Sequence, residues 1–403
     1  MISMDRYPPP GCQELVARAK ALQPLLCQHA AAGDASRRQP DEVITRLTDA
    51  GLFRMLTPIR LGGCETQLRT VVAVTEALGE ADGSAAWLIA LGSAHAWMVG
   101  LASGRARQEV FGADPDALIA GRIPRVAATA GSPSAELVDG GVRIGGRWGY
   151  SSGAHHAKWV LLGATTVDAA GQPTDQLVCL VPASELTMED TWHTVGMRST
   201  GSNTWIAEDL FVPRHRTIST RAMSEGRVAA STGEAMYRLP VMPLATLSLL
   251  GPLLGLGNAA LRLAVDKVPT RPMSDTTYNR KSDSVGVQVQ VAEAALRLQT
   301  ARLHAFHIAD ELDACTATGQ HIDYTARARM RAQCGHAAQQ VLDAINLLVN
   351  VHGAESFALT SQMQQFWRDA NIAARHAGLN TVVGYEIFGK ALLGVTDRIS
   401  PIL

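Results

Sequence analysis

The sequence predicts an α+β protein that is mainly helical, with helices at both ends of the chain and a β segment between them. Three observations support this class. Apolar residues recur at helical spacing before about residue 112 and after about residue 235, they alternate between these limits, and prolines and glycines become frequent near Asp114. We therefore predict an N-terminal helical domain over residues 1–113, a central β-barrel domain over 114–225 and a C-terminal four-helix bundle over 226–403.

The first domain carries clear helix signals. A first helix is predicted over residues 12–32, and a second helix opens at Pro40 and stops at Gly51. Two or three further helices are expected after the pair Gly62-Gly63.

The β segment is predicted from alternation and turn residues. Leu137, Val142 and Ile144 alternate with polar residues around the turn Asp139-Gly140, which indicates a hairpin. Further strands are predicted at 159–162, 177–181 and 204–212, with a polar turn over 168–175. Strands on both sides of short turns favour antiparallel pairing. The small and polar residues 219–235 are predicted to be a linker.

The last part of the chain is predicted to be a bundle of long helices. The apolar residues that indicate them fall three, four or seven apart: Val285, Val289, Ala292, Leu296, Leu303 and Phe306, then Cys334, Val341, Ile345 and Leu348. Residues 239–261 contain no charge and are long enough to cross a bilayer, but Pro240, Pro243 and Pro252 interrupt them. We interpret them as a buried bundle helix, so no membrane contact is expected.

Composition narrows the class of function. Of the 403 residues, 47% are hydrophobic and only 18% are charged, so much surface should be buried in a core or between subunits, and an oligomer is expected. The formal net charge is -1 and no run of five or six like charges occurs, which makes nucleic acid an improbable partner. The six cysteines are scattered and are expected to be reduced thiols. The first residues lack a secretory signal, so a cytoplasmic location is predicted.

Three motifs fit known sites by spacing but not by context. Residues 255–260 fit a dinucleotide fingerprint, yet helical sequence surrounds them, which favours close helix packing through glycine. Residues 149–153 fit a hydrolase G-x-S-x-G elbow, yet strands follow instead of a helix. His304, His307 and Glu311 share a helix face but lack the further ligands of a metal site, and no metal is predicted.

Three longer segments remain as candidates for chemistry: GRWGYSSGAHHAKW at 146–159, WHTVGMRSTGSNTW at 192–205 and FWRDANIAARHAGLN at 366–380. The first two combine glycines, hydroxyl groups and tryptophans. Such a set suits a flat aromatic ligand, whose polar edge binds backbone and hydroxyl groups while apolar rings cover its face. Turns of a β-barrel would have the same composition, and the residues alone do not separate these two interpretations.

Together with GLFRMLTPIRLGG at 51–63, ALGEADGSAAW at 77–87 and FGKALLG at 388–394, these segments resemble the acyl-CoA dehydrogenase superfamily. The resemblance covers nearly the whole chain and is strongest to the oxygenase branch, the two-component monooxygenases that use reduced flavin. It implies a flavin held between β-barrel and bundle, usually in a homotetramer.

The resemblance also implies site residues. Those that match the family's flavin-ring contacts are Tyr150, Ser151 and Ser152, and those that match its ribityl phosphate end are Ser199, Thr200 and Ser202. Trp148 is expected to form the pocket wall. For an FAD enzyme, Arg280 and Lys281 could hold a phosphate of a neighbouring subunit's cofactor, although an exposed basic loop is equally consistent with the sequence.

Two histidines and a missing carboxylate separate the two branches. A dehydrogenase needs a carboxylate base, and where many members have Tyr-Glu-Gly this chain has His376-Ala377-Gly378. The alternative position, near residues 241–254, carries no acid either. His376 is therefore the first catalytic candidate, as a hydrogen-bonding partner of a flavin C4a-hydroperoxide or of the substrate. His95 is the second, and Ser152 is expected to hydrogen-bond flavin N5.

The resulting prediction is the oxygenase component of a two-component monooxygenase that hydroxylates an aromatic or polyketide-like small molecule. It would take reduced FMN or reduced FAD from a separate flavin reductase and use O2. Alternatives are an N-hydroxylase of amines or amino sugars, an acyl-CoA dehydrogenase with an unrecognised base, and a silent scaffold. Arg368 and Asp369 are expected to form a structural ion pair.

Overall fold

The first part of the chain folds into helices that pack on each other. The computed structural model describes residues 12–123, 133–167, 172–224, 228 and 233–400. The helices are α1 (Cys12–Ser36), α2 (Asp41–Asp49), α3 (Leu68–Gly79), α4 (Gly83–Val99) and α5 (Gly104–Phe111). The predicted helices near 12–32 and after Pro40 are both present, and the first one continues to Ser36.

Helix α4 carries one wall of the site described below. It begins at a buried cap, where the Asp82 carboxylate accepts hydrogen bonds from the backbone N–H groups of Ser84 at 2.8 Å and Ala85 at 3.0 Å. Burial raises the pKa of this carboxyl group. Trp87 and His95 lie two helical turns apart on α4, so they face the same side of the helix.

The β segment forms one sheet. Its strands are β1 (Ile119–Arg122), β2 (Ser134–Val138), β3 (Gly141–Ser151), β4 (Trp159–Val167), β5 (Pro173–Pro182), β6 (Thr187–Glu189), β7 (Asn203–Pro213) and β8 (Thr217–Ser219). The order is β6-β7-β3-β2-β4-β5-β8, with β1 beside β4. Antiparallel pairing is confirmed for the hairpins β2–β3 and β4–β5. It does not hold for β1 with β4 or β2 with β4, which are parallel because no tight turn joins them.

The two halves of this sheet enclose their own apolar core. Strand β3 pairs with β7 in a register that places Trp148 opposite Trp205. Both tryptophans pack with Val160 and Leu162 of β4 and with Val181 of β5. Since strands that are distant along the sheet share one interior, the sheet curves back on itself as in a barrel.

Helices return after β8: α6 (Thr220–Ser224), α7 (Val241–Ser248), α8 (Leu250–Lys267), α9 (Val285–Thr318), α10 (Tyr324–His352), α11 (Gln362–Ala373) and α12 (Thr381–Leu392). Helix α6 lies within the predicted linker, so the linker prediction is wrong for residues 220–224. The reason is local, because the Ser219 hydroxyl accepts the Ala222 N–H at 3.1 Å and caps a helix start. The predicted polar turn is also shorter than expected, since β5 already begins at Pro173; residues 168–171 lie outside the described part.

Glycine contacts join α3 to α8. A Cβ atom on Gly255 would lie 2.3 Å from the Glu76 carbonyl oxygen, and one on Gly79 would lie 2.7 Å from that of Pro252. The prediction that the fingerprint-like glycines serve close packing is confirmed. The apolar stretch after Val241 is also a buried helix pair, since 83% of its most apolar part is buried.

Candidate active site

A cavity of about 470 Å³ lies between the β segment and the helices. His95 of α4, Gly121 and Arg122 of β1, and Tyr150 and Ser152 at the end of β3 line one side. The other side is formed by α7, α10 and the turn before α12: Leu244, Thr246, Leu249, Arg331, His376 and Gly378. Among the described residues that line it, none is Asp or Glu.

Ser152 stands at the cavity end of a chain of buried hydroxyl groups. Its Oγ lies 2.8 Å from Ser202 Oγ, which lies 2.7 Å from Thr200 Oγ1. The Thr200 hydroxyl donates to the Met197 carbonyl oxygen at 2.7 Å. At the other end, the indole N–H of Trp87 donates to Ser152 Oγ at 3.2 Å.

The direction of this chain follows from counting hydrogens. Each hydroxyl has one hydrogen, and Thr200 uses its hydrogen on Met197. All four bonds therefore form together only if Ser202 donates to Thr200 and Ser152 donates to Ser202. Ser152 is left with no hydrogen for a ligand and with one further lone pair. It can accept a hydrogen bond from a bound N–H group but cannot donate one.

Tyr150 presents its ring to the cavity from an irregular point of β3. The register of β3 with β7 shifts between Trp148 and Ser151, and Tyr150 has φ 62°. Its side chain is 69% exposed, and its ring contacts Trp192 edge to face at 5.9 Å between centroids. The Arg122 guanidinium lies 5.8 Å from the Tyr150 ring centroid.

Ser151 does not form a hydrolase elbow. It ends strand β3, and the next regular element is β4 instead of a helix. The Ser151 side chain is fully buried, and within the described chain its Oγ has no hydrogen-bond partner. His155 and His156 follow closely but bond elsewhere, the first to Asn203 at 3.0 Å and the second to the Gln39 carbonyl oxygen at 3.0 Å.

The imidazole of His95 is oriented so that Nε2 can accept a hydrogen bond or a proton. Its Nδ1 lies 2.9 Å from the Ile119 carbonyl oxygen. A carbonyl only accepts, so Nδ1 carries the hydrogen, and in the neutral ring Nε2 is the acceptor. Burial lowers the pKa of His95, which keeps the ring neutral. A Cβ on Gly121 would lie 3.0 Å from this Nε2.

His376 has the opposite tautomer to His95. Its Nδ1 accepts the Gly378 N–H at 3.0 Å, so Nε2 carries the hydrogen of the neutral ring. Burial and the charges of Arg122 and Arg331 lower the pKa of His376 to about 4. The ring meets Trp87 edge to face at 5.7 Å. The cavity therefore contains one neutral imidazole that can accept a proton and one that donates a hydrogen bond.

Of the seven predicted flavin residues, Tyr150 and Ser152 line the cavity. Thr200 and Ser202 follow Ser152 in the chain of hydroxyl groups, and Trp148, Ser151 and Ser199 do not line the cavity. Trp148 is 1% exposed in the β core, and its indole N–H donates to the Gly163 carbonyl oxygen at 2.7 Å. The prediction that Trp148 forms the pocket wall is wrong for this cavity, because its strand position faces the sheet interior. Ser199 is buried against α1, with its Oγ 2.9 Å from the place of a Cβ on Gly33.

Arg368 and Asp369 do not pair with each other as predicted. Arg368 forms an ion pair with Asp34 of α1 at 2.9 Å. Asp369 is buried and accepts the Met197 N–H at 2.5 Å, which fixes the start of the turn that carries Thr200. Burial raises the pKa of Asp369 to about 7. Adjacent residues on α11 point to different partners because α1 and the turn lie on different sides of it.

The remaining polar clusters have partners of their own. Glu311 pairs with Arg329 at 2.7 Å and with His307 at 3.3 Å. Lys281 donates to the Val351 and His352 carbonyl oxygens at the end of α10, and Arg280 pairs with Asp283. Both cations of the loop have partners within this chain, and the phosphate role toward a neighbouring subunit's cofactor stays a prediction.

Three residues of the site were not singled out from the sequence. Trp87, Gly121 and Arg122 all approach the predicted residues, the first through Ser152, the second through His95 and the third through Tyr150. The spacing of Trp87 and His95 on one helix face was the available signal. No pattern in the sequence marked Gly121 or Arg122.

The site fits a reduced flavin. The fit rests on Ser152, whose only open capacity is to accept a hydrogen bond, as the N5–H of a reduced flavin requires. The cavity has a size typical of small-molecule sites, and Tyr150 offers an aromatic ring beside Ser152. Tyr150, Ser152 and, behind it, Ser202 are the residues that would hold the ring.

Family models match most of the helical part of the chain. Residues 17–109 match the acyl-CoA dehydrogenase N-terminal domain, and residues 247–381 match the acyl-CoA dehydrogenase C-terminal domain. The β segment lies between these two matches.

Relatives with assigned activities match along almost the whole chain. The oxygenase subunit HsaA of a flavin-dependent monooxygenase from Mycobacterium tuberculosis is 31% identical, with 95% of this chain and 96% of the relative covered. The oxygenase component of an FADH2-dependent resorcinol hydroxylase from Rhizobium is 29% identical, with 95% of each chain covered.

Solved structures agree with these matches. XiaF from Streptomyces, in complex with FADH2 and glycerol, superposes with a TM-score of 0.90 and is 34% identical over 97% of this chain and 98% of its own. Both the sequence and the fold therefore match over almost the whole chain. The chain belongs to the acyl-CoA dehydrogenase superfamily, in the branch formed by the oxygenase subunits of flavin-dependent monooxygenases.

Proposed function

We propose that the chain hydroxylates an aromatic ring that already carries an ionisable hydroxyl group. The observation that carries the proposal is the pair His95 and His376, two neutral imidazoles of opposite hydrogen-bonding sense in one cavity. The resorcinol hydroxylase acts on such a phenol. Aromatic hydroxylation of this kind requires removal of a proton from the substrate and a hydrogen bond to the oxygen being transferred, and the two rings supply one each.

In this proposal each residue of the site has a separate role. Nε2 of His95 accepts the proton of the substrate hydroxyl, which makes the ring electron-rich. Nε2–H of His376 would donate a hydrogen bond to the oxygen that is transferred. Ser152 would accept a hydrogen bond from the N5–H of a bound reduced flavin, and the apolar side chains Leu244 and Leu249 exclude water. Reduced flavin, when bound, supplies the electrons that activate O2.

The lining of the cavity disfavours dehydrogenation. Removal of a proton α to a thioester carbonyl needs a positioned base, which the resemblance implies is a carboxylate in the dehydrogenases. Neither Asp nor Glu lines the cavity in the part of the chain that the structure describes. The resemblance matches His376 to the position of that base. A silent scaffold would not need Ser152, Ser202 and Thr200 arranged with one direction of hydrogen bonding.

We further propose that a separate flavin reductase supplies the reduced cofactor. The relatives are named as oxygenase subunits or components, which implies a second component. XiaF is in complex with FADH2 and the resorcinol hydroxylase is FADH2-dependent, which favours FAD over FMN.

The proposed assembly is a cytoplasmic homotetramer. Helix α9 exposes an apolar stripe on its outer side, formed by Val285, Val289, Leu296 and Leu303, each at least 58% exposed. Side chains of this kind are usually covered in an assembly. A second copy of the chain is the partner that family membership favours.

The test is anaerobic mixing of the protein with reduced FAD, and separately with reduced FMN, before exposure to oxygen. We expect an absorbance transient that belongs to neither reduced nor oxidised flavin and delays the return of oxidised flavin. A Ser248→Ala variant, which changes a buried hydroxyl of α7 outside the cavity, is the control and should behave like the parent. Reoxidation at the same rate with and without protein would reject the proposal.

A further inference from the structure

Arg122 is a half-buried cation at the cavity end of β1. It follows Gly121, whose backbone lies against His95, so it stands beside the candidate base. Its guanidinium approaches the face of the Tyr150 ring at 5.8 Å. Burial lowers the pKa of Arg122, which means that the folded chain disfavours its charged form.

The described chain offers Arg122 no counter-charge. No hydrogen bond or ion pair joins it to another of the residues that the structure describes, and its guanidinium lies over the Tyr150 ring. A guanidinium stays charged under all ordinary conditions and is costly to bury without an anion. Among the described residues its charge is therefore uncompensated, and an anion in the cavity would compensate it.

The other charged side chains that line the cavity are also positive. Arg327 and Arg331 of α10 also line it, and the exposed Arg238 lies at its edge. Arg331 donates to the Ala377 carbonyl oxygen at 2.7 Å, next to His376. With no acidic residue among the described lining residues, the cavity favours an anion and repels an ammonium group.

We propose that the substrate of this enzyme is an aromatic carboxylate and that Arg122 is the specificity residue that pairs with its carboxylate group. This inference rests on the proposed function and adds the chemical class of its substrate. Arginine suits the task because its planar fork can hold both carboxylate oxygens. An amine or amino sugar, the N-hydroxylase alternative, would place a cation among these arginines and is disfavoured.

Three probes of the same ring system test the charge. They are 6-hydroxy-2-naphthoate, its neutral amide 6-hydroxy-2-naphthamide, and the cation 6-(aminomethyl)-2-naphthol. Binding is measured by calorimetry to the protein alone and to the protein with reduced FAD under anaerobic conditions. We expect the naphthoate to bind at least about tenfold more tightly than the amide, as a charge-assisted hydrogen bond implies, and the cation to bind weakest.

Variants assign the preference to Arg122. In Arg122→Met the ratio of naphthoate to amide affinity should fall to within about twofold, while the amide affinity stays unchanged. Arg122→Lys should keep part of the ratio because it keeps the charge. Arg143→Met removes an exposed β3 cation, paired with Asp209 outside the cavity, and should keep the whole ratio.

Separate outcomes reject the inference and the proposed function. Equal affinities for naphthoate and amide, failure of all three probes to bind, or an unchanged ratio in Arg122→Met would each overturn the inference. Arg122 could instead serve the flavin, and the affinity for reduced FAD tests this. A loss of flavin binding in Arg122→Met with an intact ratio would also overturn the inference. If the parent protein binds no reduced flavin, the proposed function fails, while the ratio in the flavin-free protein still decides the inference.

Discussion

His95 and His376 face one cavity with opposite hydrogen-bonding sense. Nδ1 of His95 donates to the Ile119 carbonyl oxygen, whereas Nδ1 of His376 accepts from the Gly378 N–H. The backbone therefore sets both tautomers. The outer nitrogen of His95 is a base, and that of His376 is a donor.

Replacement by asparagine separates the two roles without disturbing the backbone. In His95→Asn the amide N–H can replace Nδ1–H, and in His376→Asn the amide oxygen can replace the Nδ1 acceptor. Each variant loses only Nε2. We expect each to lose product formation by about a hundredfold or more, with the affinity for reduced flavin nearly unchanged. Product yield per flavin oxidised and flavin titration measure this, and full activity in either variant would reject that residue's role.

The pH dependence should follow from the two low pKa values. The pKa of His376 is lowered to about 4 and that of His95 lies below its ordinary 6.5, so both rings stay neutral as the pH falls from 8 to 6.5. Single-turnover product yield should therefore be flat over this range, with its acid limb below 6.5. An acid limb centred above 6.5 that disappears in His95→Asn would contradict this account.

Ser152→Ala should release more hydrogen peroxide. The change removes the acceptor for a flavin N–H and leaves the Trp87 indole N–H without its partner. We expect a severalfold rise in peroxide per flavin oxidised, measured with a peroxidase assay. Ser202→Ala should give a smaller rise, because the Ser152 hydrogen is then free to turn toward the ligand. Ser248→Ala serves as the control, and equal peroxide from all three variants would count against the hydroxyl chain.

Gly121→Ala should block the base. The added methyl group would lie 3.0 Å from Nε2 of His95, closer than ordinary packing allows. We expect about tenfold slower product formation or more, with the thermal midpoint nearly unchanged. Gly145→Ala in β3 is the matched control, since its methyl group would meet nothing closer than 3.9 Å. Equal rates for the two variants would show that Nε2 of His95 is not used.

Asp369 should make stability depend on pH. Its pKa is raised to about 7 from an ordinary 3.8, so the folded protein holds this proton more tightly than the unfolded chain does. Stability from this group is therefore greatest at low pH and falls as the pH rises from about 4 to about 7. The free energy of unfolding of the parent relative to Asp369→Asn, measured by urea denaturation, should fall by on the order of 1–3 kcal/mol between pH 5 and pH 8. A constant or rising difference would reject the buried carboxyl as the cause.

Gly255→Ala should separate two helices. Its methyl group would lie 2.3 Å from the Glu76 carbonyl oxygen, and backbone cannot move aside cheaply. We expect a loss of about 2–3 kcal/mol or more in the free energy of unfolding, measured by urea denaturation. Gly286→Ala, near the start of α9, meets only the Ser284 hydroxyl at 3.7 Å and should be neutral or slightly stabilising. Equal losses in the two variants would argue against the close approach.

The sequence predicted the order of helices and strands because period and turn residues are local signals. The prediction of α6 as linker failed because a single capping serine outweighed a polar composition. For the site, His95, His376, Tyr150 and Ser152 were predicted and lie on one cavity. Their catalytic and flavin roles, and the domain boundaries at 113/114 and 225/226, stay predictions.

The partners of the predicted residues could not be predicted. The hydrogen-bonding sense of His95 depends on the Ile119 carbonyl oxygen in β1, which is distant in the sequence. That of His376 depends on the Gly378 N–H two residues further on, and the turn that brings the two together had no signal in the sequence. Trp148 was misplaced because tryptophan suits both a pocket wall and a sheet core. Arg368 and Asp369 were paired because they are neighbours in sequence, although α1 and the Met197 turn separate them in space.

The glycine contact between α3 and α8 bears on how the chain unfolds. Residues from α3 and α4 share one apolar core with residues from α8, α9 and α10, while the interior of the sheet forms a separate cluster. Helices from both ends of the chain therefore form one cooperative unit, and the β segment is inserted between them in the sequence. Neither end can reach its native packing alone, so an isolated first hundred residues should remain unfolded.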